Sequence, residues 1–373
     1  MSAMSEPIGH VPTQPGRFRL ARELRGLTQT EVVARMAEPI TFAALSQIES
    51  GKTRPQELTV RQLALALEVP YGFFSLPMPS NVDSGDVTFF RDLRATSVRD
   101  RRRASALAVV VHDLLSVIEN EAILPEFDLG TTPPPETDRE SVAEQAAQWL
   151  RGSWSLGEEP ISNLVREMER RGIAVVRLTM GVRQVDAFSV HFDQRPLVLL
   201  TNDKRNYVRS RFDAAHELGH LVLHRSARET SREFEQQANE FASALLLPRS
   251  VALEELPRTM DGSGWTRLAQ LKRRWGISIA ALLFRSRDLG LLSPIEFKNA
   301  MRYMSVRGWR KVEPGDREMG PPEVPVLMER SLRTIELNSG VSLEQLAELA
   351  MVPLEDMQEV VLASRDSRPG VDL

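Results

Sequence analysis

Residues 212–224 read FDAAHELGHLVLH, and the spacing of the histidines within them decides how the surrounding chain is organised. On an α-helix, positions four apart share a face, so the imidazoles of His216 and His220 can reach one ion. Glu217 follows His216 directly and can stand beside that ion without ligating it, where a general base for an activated water belongs. Leu218, Leu221, Val222 and Leu223 supply the apolar faces that bury such a helix. A single histidine on an apolar helix is ordinarily packed and hydrogen-bonded. Here three of the chain's six histidines fall within nine residues, which favours a metal site.

A catalytic metal of this type usually takes three protein ligands and leaves one position for water. The next helical pattern, EFEQQANEFASALLLP (233–248), offers Glu233, Glu235 and Glu240. Glu235 is preferred, because Asn239 lies four residues on, shares its face and can orient a ligand histidine. Phe234, Ala238, Phe241 and Leu245 form an apolar stripe beside that face. Glu240 stays open as the alternative. His224, four residues after His220, is either a competitor or a supporting residue.

The run RSRFDAAHELGHLVLH (209–224), with EQQANEFASALLLP (235–248) after it, resembles the ImmA/IrrE family of metallopeptidases. The resemblance extends from about 185, through LKRRWGISIAALLFRSRDLG (271–290), to GWRKVEP near 314. It implies zinc (Zn2+) held by His216, His220 and Glu235, with Glu217 as base, and a narrow endopeptidase that cuts a partner repressor protein. Members often carry Glu immediately before the Ala-Asn pair, where this chain has Gln237. In such a site Glu217 takes a proton from the activated water and passes it to the leaving amine. Tyr207, Arg209 and Arg211 precede the motif and are candidates for a further oxyanion donor, or else second-sphere and surface residues.

Upstream of the motif lies a β-rich segment: IAVVRL (173–178) and PLVLLT (196–201) are short and rich in branched residues, and VDAFSVHF (185–192) lies between them. Helical patterns at SVAEQAAQWL and ISNLVREMERRG lead into them. The α+β metallopeptidase domain with its small sheet is therefore placed at 139–312. Before it, 80–138 reads as a helical, basic linker region, from SNVDSG (80–85) through VRDRRR (98–103) to the three prolines of DLGTTPPPETD (128–138). After it, the Pro/Gly-rich EPGDREMGPPEVP (313–325) and two last helical patterns make 313–373 a linker and C-terminal helical region of no assigned function.

The N-terminus has another character. Residues 1–16 are polar and proline-containing and read as a disordered tail. Residues 17–79 hold short helical patterns, and 17–77 resemble the XRE class of helix-turn-helix domains. The match lies in GLTQTEVVARM (26–36), LSQIESGKTRP (45–55) and TVRQLALALEVPYGFF (59–74). A helix start with Thr28 as cap and Gln29 beside it suits a DNA phosphate, and Lys52 and Arg54 can reach others. Thr41, Phe42, Ala43 and Ala44 occupy the base-facing positions, where repressors tend to be polar. Of the nearby residues only Ser46 and Gln47 can read a hydrogen-bond code. The turn AEPIT before this helix is longer than usual and lacks its Gly. DNA binding is the expectation; a protein-docking module is the alternative.

Bulk composition fits this plan. At 373 residues, with 42% hydrophobic and 26% charged residues, the chain is that of a multidomain, mainly α globular protein. A net charge of −4 offers no global attraction to DNA, so any DNA surface must be local. The absence of cysteine excludes disulfides, Cys-ligated zinc and a thiol nucleophile. No signal-peptide pattern and no apolar run long enough for a membrane span appear, so no membrane partner and a cytoplasmic location are expected. Self-association as a homodimer is left open. Two readings follow: a DNA-binding regulatory zinc endopeptidase, or a transcriptional regulator whose metallopeptidase-like domain senses without cutting.

Overall fold

The computed structural model describes residues 12–79, 97–130, 141–178, 187–192, 195–201, 206–224 and 231–362. Most of the polar tail, the 80–85 hinge, the basic residues before 97, and the triple proline lie outside the described residues, as do residues 185 and 186 of the expected β-rich segment. In chain order the elements are α1 (Pro15–Leu24), α2 (Gln29–Arg35), α3 (Phe42–Glu49), α4 (Glu57–Leu67), α5 (Val98–Glu121), α6 (Val142–Ser153), α7 (Leu164–Arg170), β1 (Ala174–Leu178), β2 (Ala187–His191), β3 (Pro196–Thr201), α8 (Tyr207–Leu223) and α9 (Arg232–Leu246). They continue with α10 (Arg249–Glu255), α11 (Gly262–Trp275), α12 (Ile279–Asp288), α13 (Pro294–Val306), α14 (Leu327–Ser339), α15 (Leu343–Leu349) and α16 (Leu354–Leu362). The chain divides into two compact units.

The first unit comprises the described residues up to 79, 97–123 and 331–359. Thr28 starts α2 with a capping box, its hydroxyl oxygen accepting from the Glu31 amide while the Glu31 carboxylate accepts from the Thr28 amide. Phe18 stacks on Phe74 with ring centroids 4.3 Å apart, and both are buried with Leu45 and Leu63. The sequence placed 98–121 within a helical, basic linker region. In the structure α5 is a 24-residue helix whose body from Ala104 to Ile118 is largely buried and packs along α1. Arg17 clamps that packing, donating to Asp113 at 2.5 and 3.0 Å. The C-terminal pair α15 and α16 belongs to this unit too: α15 packs on α5, and Arg25 donates to Asp356 at 2.8 Å.

The second unit holds the sheet and the helix with the three histidines. Strand order is β1-β3-β2, with β1 parallel to β3 and β2 antiparallel to it; Val175 faces Val198 and Ser189 also faces Val198 across the two ladders. The three strands are almost wholly buried, which explains their continuous apolar runs. α8 packs against β2, β3 and α9. Residues 313–325, whose composition suggests a linker, are anchored by buried carboxylates. Glu313 accepts from the amides of Ile279 and Ala280 at the start of α12, at 2.7 and 2.9 Å, and from Lys272 at 2.9 Å. Glu323 accepts from the Val165 amide at the start of α7 at 2.9 Å and pairs with Arg211. Among the described residues no helix is long and apolar enough to cross a membrane.

Candidate metal centre

α8 starts where the Asn206 side chain accepts from the Arg209 amide, and α9 starts where Ser231 accepts from the Phe234 amide. The two helices pack closely because of Gly219. A Cβ there would lie 2.9 Å from Phe241 Cδ1 and 3.3 Å from both the Cα and the carbonyl oxygen of Ala238. This approach brings Glu235 of α9 up to the two imidazoles of α8. His216 Nε2 and His220 Nε2 are 3.1 Å apart, with Glu235 carboxylate oxygens 3.6 Å and 3.7 Å from them respectively. One ligand atom from each of the three lies within 4.8 Å of the others. Glu240 points elsewhere, accepting from Ser141 at 2.5 Å.

Hydrogen bonds on the far side of each ring set the tautomers. Asn239 donates its amide N–H to the Glu235 carbonyl at 2.7 Å, which turns Oδ1 towards His216 Nδ1, 3.1 Å away. An amide oxygen only accepts, so His216 carries its hydrogen on Nδ1 and presents the Nε2 lone pair to the cluster. A longer chain does the same for His220. The Gln237 amide nitrogen faces Glu233, leaving Oε1 to accept from His224 Nε2 at 2.8 Å. His224 then accepts on Nδ1 from His220 Nδ1–H at 2.9 Å, and His220 Nε2 is left with a lone pair. Phe234 stacks on His224, with ring centroids 4.4 Å apart, and holds it in plane.

Burial, reinforced by the neighbouring imidazoles, pushes the His220 pKa down to about 2, and burial also lowers that of His224. For His216 burial likewise opposes charge, but Glu235, Glu217 and Asp213 together outweigh it and raise the pKa. The neighbouring carboxylates thus favour positive charge at His216, whereas burial keeps His220 neutral with its Nε2 lone pair available. Two imidazole nitrogens and a carboxylate, with hydrogen bonds fixing the rings, make a donor set that could hold a metal ion and is of the kind catalytic zinc takes.

Glu217 is buried on α8, and the Ser189 hydroxyl of β2 donates to its Oε2 at 2.7 Å. Nothing local to Ser189 marks it for this role, because β2 and α8 meet only in the fold. Of the three candidate oxyanion donors, Arg209 is exposed. Tyr207 and Arg211 are instead tied to Glu323, Tyr207 at 3.4 Å. They hold the 313–325 segment.

In the first unit, Gln29 donates to the Glu49 carboxylate at 2.8 Å, and Glu49 also takes a buried pair of bonds from Arg22 at 2.6 and 2.9 Å. Thr41 is the cap of α3, its hydroxyl oxygen accepting from the Ala44 amide at 3.1 Å. Gln47, Lys52 and Arg54 are exposed and Ser46 is half-buried. Gln47 Oε1 accepts from Thr53 at 3.2 Å. Phe42 is 57% exposed at the start of α3, an apolar group held out to solvent.

Residues 168–287 match the family described as the IrrE N-terminal-like domain, a peptidase family, and residues 18–74 match the helix-turn-helix family. The first match spans β1 to α12 and so contains the whole His/His/Glu cluster; the second spans α1 to α4. The chain carries both domains. Among curated proteins there is no match.

Proposed function

We propose that this chain is a DNA-binding regulator whose IrrE-like domain is a zinc-dependent endopeptidase acting on a partner repressor protein. The observation that carries the proposal is the convergence of His216, His220 and Glu235, with Glu217 on the same helix beside them. His216, His220 and Glu235 would hold the metal, which supplies a Lewis acid and an acidified water when bound. Glu217 is the group that accepts and returns the proton. It is buried, so its carboxylate meets little competing water. The Ser189 hydroxyl donates to its Oε2 and so helps to fix the carboxylate. Asn239, and His224 with Gln237, keep both imidazoles in the tautomer that presents Nε2.

The assignment of a repressor as substrate rests on the pairing of this domain with a helix-turn-helix in one chain, which brings a protein-cutting site to where repressors act. The test combines metal analysis of the purified chain with a cleavage assay against a repressor encoded nearby, wild type beside Glu217→Gln. The expected result is one equivalent of zinc in both and cleavage by wild type alone. Zinc without cleavage of any candidate would make the domain a sensor and overturn the proposal.

A further inference from the structure

The helix-turn-helix is poorly charged for DNA when taken alone. Residues 17–77 carry eight Lys/Arg against six Glu. Three of those eight are held in ion pairs with little exposure: Arg17 to Asp113, Arg22 to Glu49 and Arg25 to Asp356. Phosphate neutralisation supplies much of the affinity in DNA recognition, so this inventory leaves little to bind with.

α5 changes the inventory. Its buried body packs along α1, which fixes the position of its N-terminal turns. Those turns carry Arg99, Arg101, Arg102 and Arg103 against Asp100 alone. Arg99 lies over the α1–α2 turn: its Nε is 3.3 Å from where a Cβ on Gly26 would stand. Gly26 has a φ of +59°, so the turn both needs glycine and lets the guanidinium approach. Arg102 lies 3.6 Å from Glu23 with 58% of its side chain still exposed. An open cavity of about 680 Å³ joins these arginines to the recognition elements, with Arg19, Gln29, Phe42, Ser46, Arg99 and Arg102 in its wall. Phe42 and Ser46, two of the residues expected near the bases, therefore border the same space as Arg99 and Arg102 of α5.

We propose that α5 is part of the DNA-binding surface, Arg99 and Arg102 neutralising phosphates of duplex DNA alongside the groove in which α3 lies. This rests on the helix-turn-helix being a DNA reader. The contacts are to backbone, so they add affinity without sequence preference. They explain how a module with few uncommitted cations, and with Phe42 at a base-facing position, holds a duplex. The basic run ahead of the metallopeptidase domain is then neither a spacer nor merely a solvated helix face.

The test titrates the full-length chain with a pool of duplexes at 50 and 200 mM salt. Wild type is compared with Arg99→Ala/Arg102→Ala, with Arg99→Lys/Arg102→Lys and with Lys52→Ala/Arg54→Ala. Each phosphate contact contributes about 0.9 to the log–log salt slope. The alanine pair should reduce that slope by about 2, which is about tenfold over the fourfold salt range, and weaken binding to every sequence alike. The lysine pair should keep the slope. An unchanged slope in the alanine pair, with normal wild-type binding, overturns the role of α5 alone. Tighter binding by the alanine pair would show that α5 masks the surface, and overturns it too. A wild-type chain that binds no duplex at low salt removes the DNA reading itself, and this inference with it.

Discussion

Gly219→Ala tests how the metal centre is assembled. The added methyl would lie 2.9 Å from Phe241 Cδ1 and 3.3 Å from the Ala238 backbone. Carbon–carbon contacts normally sit at about 3.5–4.0 Å, so the shortfall against the ring is roughly 0.6 Å or more. Phe241 is fully buried and has nowhere to swing, so α9 must shift away from α8. Two contributions to stability oppose each other. Alanine in a helix interior is favoured over glycine by about 1 kcal/mol, whereas overpacking a core costs about 1–3 kcal/mol. The net loss should therefore be about 0–2 kcal/mol, a fall in Tm of at most several degrees, and the fold survives. Metal affinity is less forgiving. Glu235 and Asn239 ride on α9 and both imidazoles on α8, and a functional site tolerates only about 0.5 Å of misplacement. A relative shift of that size is about a quarter of a zinc–ligand bond of about 2.0–2.2 Å. Zinc affinity measured by chelator competition should fall at least about tenfold, in parallel with a thermal melt showing a folded chain. Affinity equal to wild type would refute the idea that this close approach sets the ligand geometry.

Glu217→Gln should keep zinc and fold and abolish cleavage, measured by metal analysis and a peptidase assay, because it removes the base and no ligand. Glu235→Ala should weaken zinc binding by more than the roughly 10–100-fold typical of second-sphere losses, whereas Glu240→Ala, which removes only the bond to Ser141, should leave it unchanged in a metal titration. His224→Phe keeps the stack on Phe234 but removes the acceptor for His220 Nδ1–H, so zinc affinity should fall about 10–100-fold with little change in Tm. Glu169, buried behind the start of α14, has its pKa raised by burial from 4.5 to about 7. Native protein then holds a proton that the unfolded chain has lost between those values, so this contribution to stability declines as pH rises through that window. At most about 3 kcal/mol is at stake. Glu169→Gln retains the acceptor for the Val326 and Leu327 amides and should flatten the decline in denaturant melts between pH 4.5 and 7.

What could be read directly was local and periodic. The HExxH spacing put two imidazoles on one face, and the four-residue step from Glu235 to Asn239 put ligand candidate and support on another. The two branched runs, with VDAFSVHF between them, marked the sheet. What could not be read depends on contacts far apart in sequence. Glu323 and Val165 are 158 positions apart, and no window containing one hints at the other. A segment rich in Pro, Gly and acidic residues has the composition of a spacer. Here Glu313 and Glu323 are buried because they cap helices and neutralise Lys272 and Arg211. Polarity in the sequence signals exposure only when no partner is waiting, and partners are a property of the fold. The basic head of α5 illustrates the same limit: its apolar body is long enough to be a core element, but only the packing along α1 shows what the arginines are next to.

Gln237 shows how two readings made separately can miss what they mean together. In isolation, glutamine where relatives often have glutamate looks like damage to the site, and His224 looks like a rival for the metal. In the fold each accounts for the other. Gln237 stands on the outer side of His224, at 2.8 Å, and is not among the three residues that converge on the metal point. Its oxygen can only accept a hydrogen bond, which forces the hydrogen of His224 onto Nε2 and makes Nδ1 an acceptor. His220, 2.9 Å away, must then donate from Nδ1 and turn a lone pair inward. A neutral amide suffices to direct this chain, so the substitution leaves the donor set intact.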